Sequence, residues 1–383
     1  MTRAPATRSR GSRRSTPAAA VVAGRGTPAI DDAPAAPKPI DEAPVDQTRI
    51  DRTPPSATPA SAAPNDQTPT RASRPPDPPA TRTPPPAPPP LPPDFDAARY
   101  AATDPTTLGS LDPTALAHHY AAHGAADGRA CSAVASRAAF LALLPSPGPV
   151  LEVGPFCTPW PAPAGTVVRY LDIMPTEALR ATAAALPWGD ASRVPDIDYV
   201  WRGEPYRDLI RTRFPAILSS HCIEHQPCLV THLTDLASVL APGGRVFLVV
   251  PDHRYAFDHF VPTSTLVDVL DAYAARRGGH APRSTIAHHL LKTHNDPPAH
   301  WAGAHGPDPW TEAGLVGRVS EALRELRRTD LVFDLHAWQF TPASFRALFD
   351  LIAVAGLSPF RIERLYPTLR DSGEFYAVLR IAA

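Results

Sequence analysis

No Phe, Trp or Tyr precedes Phe95, so the first quarter of the chain has nothing large to bury. That stretch is rich in Pro, Ala, Thr and Arg and holds about half of the 50 prolines. Such a composition cannot offset the entropy of ordering. Residues 1–94 are therefore expected to form a disordered leader, with the run from Pro84 to Pro93 locally stiff as polyproline II. Arg3, Arg8, Arg10, Arg13 and Arg14 occur without acids among them. They are read as a basic disordered tail rather than a transit peptide, and the lack of an apolar stretch behind them argues against a secretory signal. No run approaches the ~20 apolar residues of a membrane span. The cysteines, Cys131, Cys157, Cys222 and Cys228, form no C-x-x-C pair, so neither a zinc knuckle nor a disulfide framework is supported, and a reduced, cytoplasmic setting is expected. The net charge of -1 carries no nucleic-acid footprint.

What is present begins at Phe95. Residues 95–131 read as a small helical module anchored by Phe95, Tyr100, Leu108, Leu111, Leu116 and Tyr120. Asp112 suits an N-cap with Pro113 at the first helical position, and His123-Gly124 reads as a helix stop. His118, His119 and His123 fall on helical spacing, but no acid or cysteine completes a metal site.

From about residue 132 to 383 the pattern alternates. A helix over Ala133–Leu144 precedes the apolar run 150–153, which ends at Gly154; a second run, 167–171, ends at Asp172. A helix over Thr176–Ala185 follows, then short runs at 197–200 and 216–219. Pro242-Gly243-Gly244 reads as a turn before the run 245–250, which is apolar on both faces as a central parallel strand should be. Two closely spaced strands, 360–366 and 375–381, close the chain. Strands alternating with helices predict a doubly wound, Rossmann-like, mostly parallel seven-stranded α/β sheet, with one antiparallel strand in the final hairpin. The stretch from about 257 to 335 interrupts the rhythm. It is read as a helical insertion (helices over 265–276, 284–291 and 312–327) lying over the carboxyl ends of the strands, where ligands bind in open α/β sheets.

In such a sheet the first strand-to-helix turn approaches a cofactor closely, and an acid at the end of the second strand bonds the ribose hydroxyls. Here the turn is "LEVGPFCTP" and the acid is Asp172, 18 residues after Gly154, near the expected spacing of roughly 20. The blocks "VLEVGP", "ILSSHCIEHQP…HLTDLASVLAPGGRVFLVVPD" and "GEFYAVLRI" resemble the class I S-adenosylmethionine-dependent methyltransferases of the type-11-like kind. The match covers residues 149–255 well and the rest loosely. "VPDHRYAFD" and "HAWQFTP" look like a subgroup associated with bacterial surface-glycan biosynthesis, and "LDPTALAHHYAAHGAADGR" is similar to a helical module of bacterial glycosyltransferases and other cell-surface polysaccharide proteins.

The resemblance implies S-adenosylmethionine as cofactor. It places Glu152, Gly154 and Pro155 on the methionine and ribose side, Asp172 on the ribose hydroxyls, and Ile173 and Asp198 near the adenine. Ser219, Ser220 and His221 would face cofactor or acceptor. The sequence departs from the family turn in having one glycine where two or three are usual. The acceptor implied is a sugar hydroxyl of a small molecule or glycan precursor, which needs a base. His221, His225, His253 and His336 are candidates, with His221 and His253 ranked first. Asp252, His253, Arg254, Tyr255 and Asp258, in the loop after the fifth strand, are candidate substrate contacts. Each residue also has a structural reading: Asp172 as turn former, Glu152 as a satisfied strand-end acid, Glu224 and His225 as helix orienters, His336 and Trp338 as core. His280, His288, His289, His294, His300 and His305 show no consistent ligand spacing, so no metal is expected. A different class, a non-catalytic scaffold partnering glycosyltransferases, also accommodates the single-glycine turn. A nucleotide-sugar glycosyltransferase is disfavoured, since Asp196-x-Asp198 opens a strand rather than following one.

Overall fold

The computed structural model describes residues 91–382 except 93, 146–147, 312 and 328–334. Nearly all of the leader expected to be disordered lies outside the described residues. The first element among the described residues, α1 (Ala97–Ala101), is capped by Asp96, and α2 (Pro105–Leu108) by Asp104. In α3 (Pro113–His119) the Asp112 carboxylate accepts from the Ala115 N–H at 2.8 Å and Pro113 occupies the first turn, as the sequence predicts. A π-helical turn, Tyr120–Gly124, continues α3. Gly124 packs so closely on Tyr100 that a Cβ there would lie 2.3 Å from the phenol oxygen. Tyr100, Leu108, Leu116, Tyr120 and Cys131 form this module's own core. The His119 Nδ1 hydrogen-bonds the Tyr100 hydroxyl at 2.7 Å.

After α4 (Arg137–Leu141), which is shorter than the helix expected over 133–144, the sheet begins. Its strands are β1 (Val150–Val153), β2 (Val168–Asp172), β3 (Tyr199–Val200), β4 (Phe214–Ser220), β5 (Leu240–Pro251), β6 (Phe360–Tyr366) and β7 (Glu374–Ile381). They lie in the order β3-β2-β1-β4-β5-β7-β6, and β7 alone runs antiparallel, to both β5 and β6. This is the mostly parallel, doubly wound sheet predicted, with the strand order reversing between β1 and β4. The Pro-Gly-Gly turn appears as an irregularity within β5: Phe214 pairs with Leu240, but Ala216 pairs with Arg245.

One expectation fails. No helix joins β1 to β2; residues 154–167 run as coil through Pro155, Pro159, Pro161 and Pro163. Proline removes helical donors and its ring clashes with the preceding turn, so this spacing forbids a helix. The other connections carry α5 (Thr176–Ala185), α6 (Tyr206–Leu209) and α7 (Leu229–Val239). The stretch after β5 contributes α8 (Leu266–Ala274), α9 (Pro282–Leu291), α10 (Pro297–Trp301) and α11 (Leu315–Glu325).

The last helix, α12 (Pro342–Val354), starts where its sequence says. Thr341 and Ser344 form a reciprocal capping box, Pro342 takes the first turn, and Phe340 packs on Phe345 with ring centroids 5.2 Å apart, a hydrophobic staple. Side chains alternate across the sheet. Leu151, Val153, Ile217, Val246, Leu248 and Val250 share one core with Leu233, Leu236, Phe345 and Ile352. Val150, Ala216, Leu218, Phe247 and Val249 share the other with Phe140 and Trp160. Trp160 belongs to the proline-rich coil, so that coil occupies part of the space a crossover helix would cover.

Candidate active site

At the carboxyl ends of β1, β2 and β4 lies a cavity of about 360 Å³, within the ~300–1,000 Å³ range of small-molecule sites. Gly154, Asp172, Ile173, Trp201, Tyr206, His221, Cys222 and His225 line it, and Gly278, Gly279 and His280 close it from the stretch between β5 and α12. Gly154 has φ +69 and a Cβ added there would lie 3.3 Å from the Cys222 Sγ, so this position suits glycine. Asp172 is buried; one carboxylate oxygen accepts from the Met174 N–H at 3.2 Å. Burial pushes its pKa up, against the lowering effect of backbone donors at Met174, Ile173 and Phe156.

The residues singled out from the sequence divide. Gly154, Asp172, Ile173 and His221 line the cavity; Glu152, Pro155, Asp198, Ser219 and Ser220 do not. Glu152 alternates to the opposite sheet face, where both carboxylate oxygens accept from the Trp160 N–H at 3.0 Å and burial raises its pKa to about 7. Pro155 is buried within the coil. Asp198 pins the edge of the sheet, accepting from Arg169 at 2.8 Å and from the Tyr170 N–H at 2.9 Å. Ser219 is fully buried in β4, and Ser220 accepts from Arg137.

The histidines are equally uneven. His221 sits at φ +48, a strained conformation for a residue with a Cβ. Its Nε2 is 2.8 Å from a Glu374 carboxylate oxygen. Burial would raise the Glu374 pKa, but hydrogen bonds from His221 and Tyr376 and the charge of Arg137 hold it below the ordinary value. His253 lines neither this cavity nor the second one described below; it is half-buried, and desolvation lowers its pKa. Asp252 is fully buried and held by Arg254 at 2.6 Å and Thr368 at 2.6 Å, and Tyr255 stacks on Trp301, so the loop after β5 is braced internally. His280, which the sequence did not mark as a cavity residue, has its pKa lowered to about 4 by burial, with His225 and His336 nearby.

Sequence reasoning missed Trp201, Tyr206, Gln226, Gly278, Gly279 and Glu374. The aromatic pair after β3 and the Gly-Gly step were visible signals. Glu374 lay inside a quoted block without any mark of its own. Burial lifts the Cys222 thiol to about 12, and Gln226 donates to the sulfur at 3.2 Å, an environment that disfavours the thiolate.

No family model matches the sequence, and no curated protein matches it. Among solved structures the chain is similar to the CcbJ methyltransferase from Streptomyces caelestis, with 16% identity over 64% of this chain and 87% of that one and a TM-score of 0.33. It is similar to DhpI in its SAH complex, with 15% identity, coverage of 75% and 93%, and a TM-score of 0.32. It is also similar to a Rhodobacter sphaeroides protein assigned as a zinc-dependent alcohol dehydrogenase, with 13% identity, coverage of 64% and 88%, and a TM-score of 0.34. Likenesses this distant, spread over two chemistries, do not bear on function. The functional reading rests on the geometry above.

Proposed function

We propose that this chain is an S-adenosylmethionine-dependent methyltransferase acting on a hydroxyl of a small-molecule or glycan-precursor acceptor. The observation that carries the reading is the cavity at the strand-order reversal. Gly154 and Asp172, from adjacent strands, face one space there, and no helix N-terminus stands at the first crossover. A dinucleotide needs that N-terminus for its pyrophosphate. A proline-rich coil offers few N–H donors and no helix dipole, so a ribose-bearing cofactor without a pyrophosphate suits the site better. The residues present fit S-adenosylmethionine: a buried carboxylate for the ribose hydroxyls, Ile173, Trp201 and Tyr206 as an apolar wall for a purine, and a glycine where a side chain would crowd the cavity.

When bound, the cofactor supplies a methyl group activated by its sulfonium. The protein contributes alignment, exclusion of water and a base. His221 is the base in this reading. Its Nε2–H donates to the ionised Glu374, which orients the ring and leaves Nδ1 as the atom that takes the acceptor proton. His253, ranked with it from the sequence, lies outside the cavity and is not assigned this role.

Equilibrium dialysis with S-adenosylmethionine tests the reading. Saturable binding is expected, with no comparable binding of NAD. Asp172→Ala should weaken it by roughly 10- to 150-fold, the loss of a charge-assisted hydrogen-bond pair worth about 1.5–3 kcal/mol. A folded variant with wild-type affinity would remove Asp172 from the site. The single-glycine turn favours a second reading, a methyltransferase-like scaffold that contacts glycosyltransferases without catalysis. Absence of cofactor binding by the wild-type chain would select it.

A further inference from the structure

Behind His225 the structure gathers a second constellation. Glu224 and His225 belong to a 3-10 turn, Ile223–His225, that follows β4, and His336 lies just before α12. The backbone clips them together: the Ala337 and Trp338 N–H groups both donate to the Glu224 carbonyl, at 2.7 and 3.1 Å, and the Trp338 indole donates to the Gln226 carbonyl at 2.5 Å. The Glu224 side chain is fully buried, yet neither carboxylate oxygen accepts a hydrogen bond. A buried carboxylate left this way is costly unless a cation compensates it. Its near neighbours are imidazole nitrogens: His221 Nδ1 at 3.6 Å, His225 Nε2 at 3.7 Å and His336 Nε2 at 4.0 Å from Oε1.

Both rings are already oriented from behind. His225 Nδ1 is 2.9 Å from the Leu335 carbonyl, which can only accept, and His336 Nδ1 is 2.8 Å from the Asp258 carboxylate. The Leu335 carbonyl fixes a proton on His225 Nδ1, and the same tautomer suits His336 against the Asp258 carboxylate; in it, Nε2 is the nitrogen each ring would offer a cation on the Glu224 side. This is how metal-binding histidines are commonly held, with the remote nitrogen donating to a carbonyl or carboxylate. One ligand atom from each of Glu224, His225 and His336 lies within 4.8 Å of the others. Ligand atoms around one four-coordinate cation with bonds of about 2.0–2.2 Å are about 3.4 Å apart, so the two Glu224–imidazole pairs, at 3.7 and 4.0 Å, are near closing distance, and the constellation as a whole, within 4.8 Å, would draw in by about 1 Å on binding.

We propose that Glu224, His225 and His336 bind a divalent first-row transition metal, with Asp258 and the Leu335 carbonyl as orienting partners. Two imidazoles and one carboxylate select such an ion over calcium or magnesium, which prefer all-oxygen sites, and leave coordination positions for a further ligand. The site lies between two cavities: His225 lines the one described above, and His336 and Asp258 line another of about 210 Å³. A role for the ion in holding an acceptor oxygen rests on the methyl-transfer reading; the metal site does not.

The other histidine cluster, His259, His300 and His305, serves as the control. There His300 Nδ1 is bonded to His305 and Nε2 to the His294 carbonyl, so its ring is engaged at both nitrogens. The full chain, stripped with EDTA and dialysed, is titrated with Co²⁺ and followed by visible d–d absorption, then with Zn²⁺ followed by the thermal midpoint. One Co²⁺ per chain is expected, with a rise in midpoint on adding Zn²⁺. His336→Gln and His225→Gln should each lose both signals, while His259→Gln/His305→Gln retains them. His336→Gln is the primary variant because Glu224 Oε1 also lies 3.6 Å from His221 Nδ1. No saturable Co²⁺ binding by the wild-type chain overturns the proposal, as does binding that survives in His336→Gln or vanishes in the control. Dialysis with S-adenosylmethionine on the same samples keeps the two readings apart: metal binding without cofactor binding sinks only the methyltransferase, and the reverse result sinks only the metal site.

Discussion

At the scale of single residues, two acids and one histidine have separable jobs. Glu152 is read here as a structural acid whose charge is disfavoured by burial. Its pKa rises from the ordinary 4.5 to about 7 in the native state. Between those values the native chain holds a proton that the unfolded chain has lost. Stability therefore falls as pH rises through this window and levels off above about 7. Glu152→Gln keeps an acceptor for the Trp160 N–H and removes the ionisation. The variant should gain stability relative to wild type as pH is raised from 4.5 to 8, by up to about 3 kcal/mol, the equivalent of that pKa shift. Thermal melts across that range check it; parallel curves for the two proteins would show that Glu152 stays charged in the fold. His221 is the opposite case, a residue held at φ +48 against Glu374 in the cavity wall. His221→Gln should lower turnover by roughly 10²–10⁴ and leave dialysis of S-adenosylmethionine unchanged. Normal turnover on the true acceptor would mean that no proton need be taken there, and would point away from a hydroxyl.

Among the elements, α12 matters beyond its own packing. Its N-terminal box and staple fix where residues 336–340 turn, and those residues are hydrogen-bonded to the turn after β4 that carries Glu224 and His225. Thr341→Ala removes the oxygen that accepts from the Ser344 N–H at 3.1 Å. The expected cost is about 1 kcal/mol, measured by chemical denaturation, and loosening of His336 should accompany it. A loss near zero would show that Phe340 and Trp338 hold the segment unaided. The coil between β1 and β2 is the other telling element. Four prolines replaced the expected crossover helix, and with it went the anion site that a pyrophosphate would need.

On the scale of the whole molecule, the first aromatic side chain is Phe95. The leader has no aromatic side chain to add to either core, so a chain starting at residue 91 should melt at the same temperature as the full sequence. A drop of several degrees in calorimetry would show that leader residues pack on the domain.

Much of the architecture is legible in one dimension because its causes are local. The runs 150–153, 245–250 and 375–381 are strands, Asp112-Pro113 and Thr341-Pro342 start helices, and Asp172 stands at a strand end. Periodicity, capping chemistry and proline geometry act within a few residues, and a sequence records them directly. Spacing alone could not separate Glu152, which faces the far side of the sheet, from Gly154 two positions on, nor remove Asp198 and Ser219 from the cavity. Proximity across the chain was decided by the tertiary structure. The strand order brings Glu374 beside His221, 153 positions apart in the chain. Backbone hydrogen bonds between the turn after β4 and the segment before α12 place Glu224 and His225 against His336, a neighbourhood that no local pattern encodes.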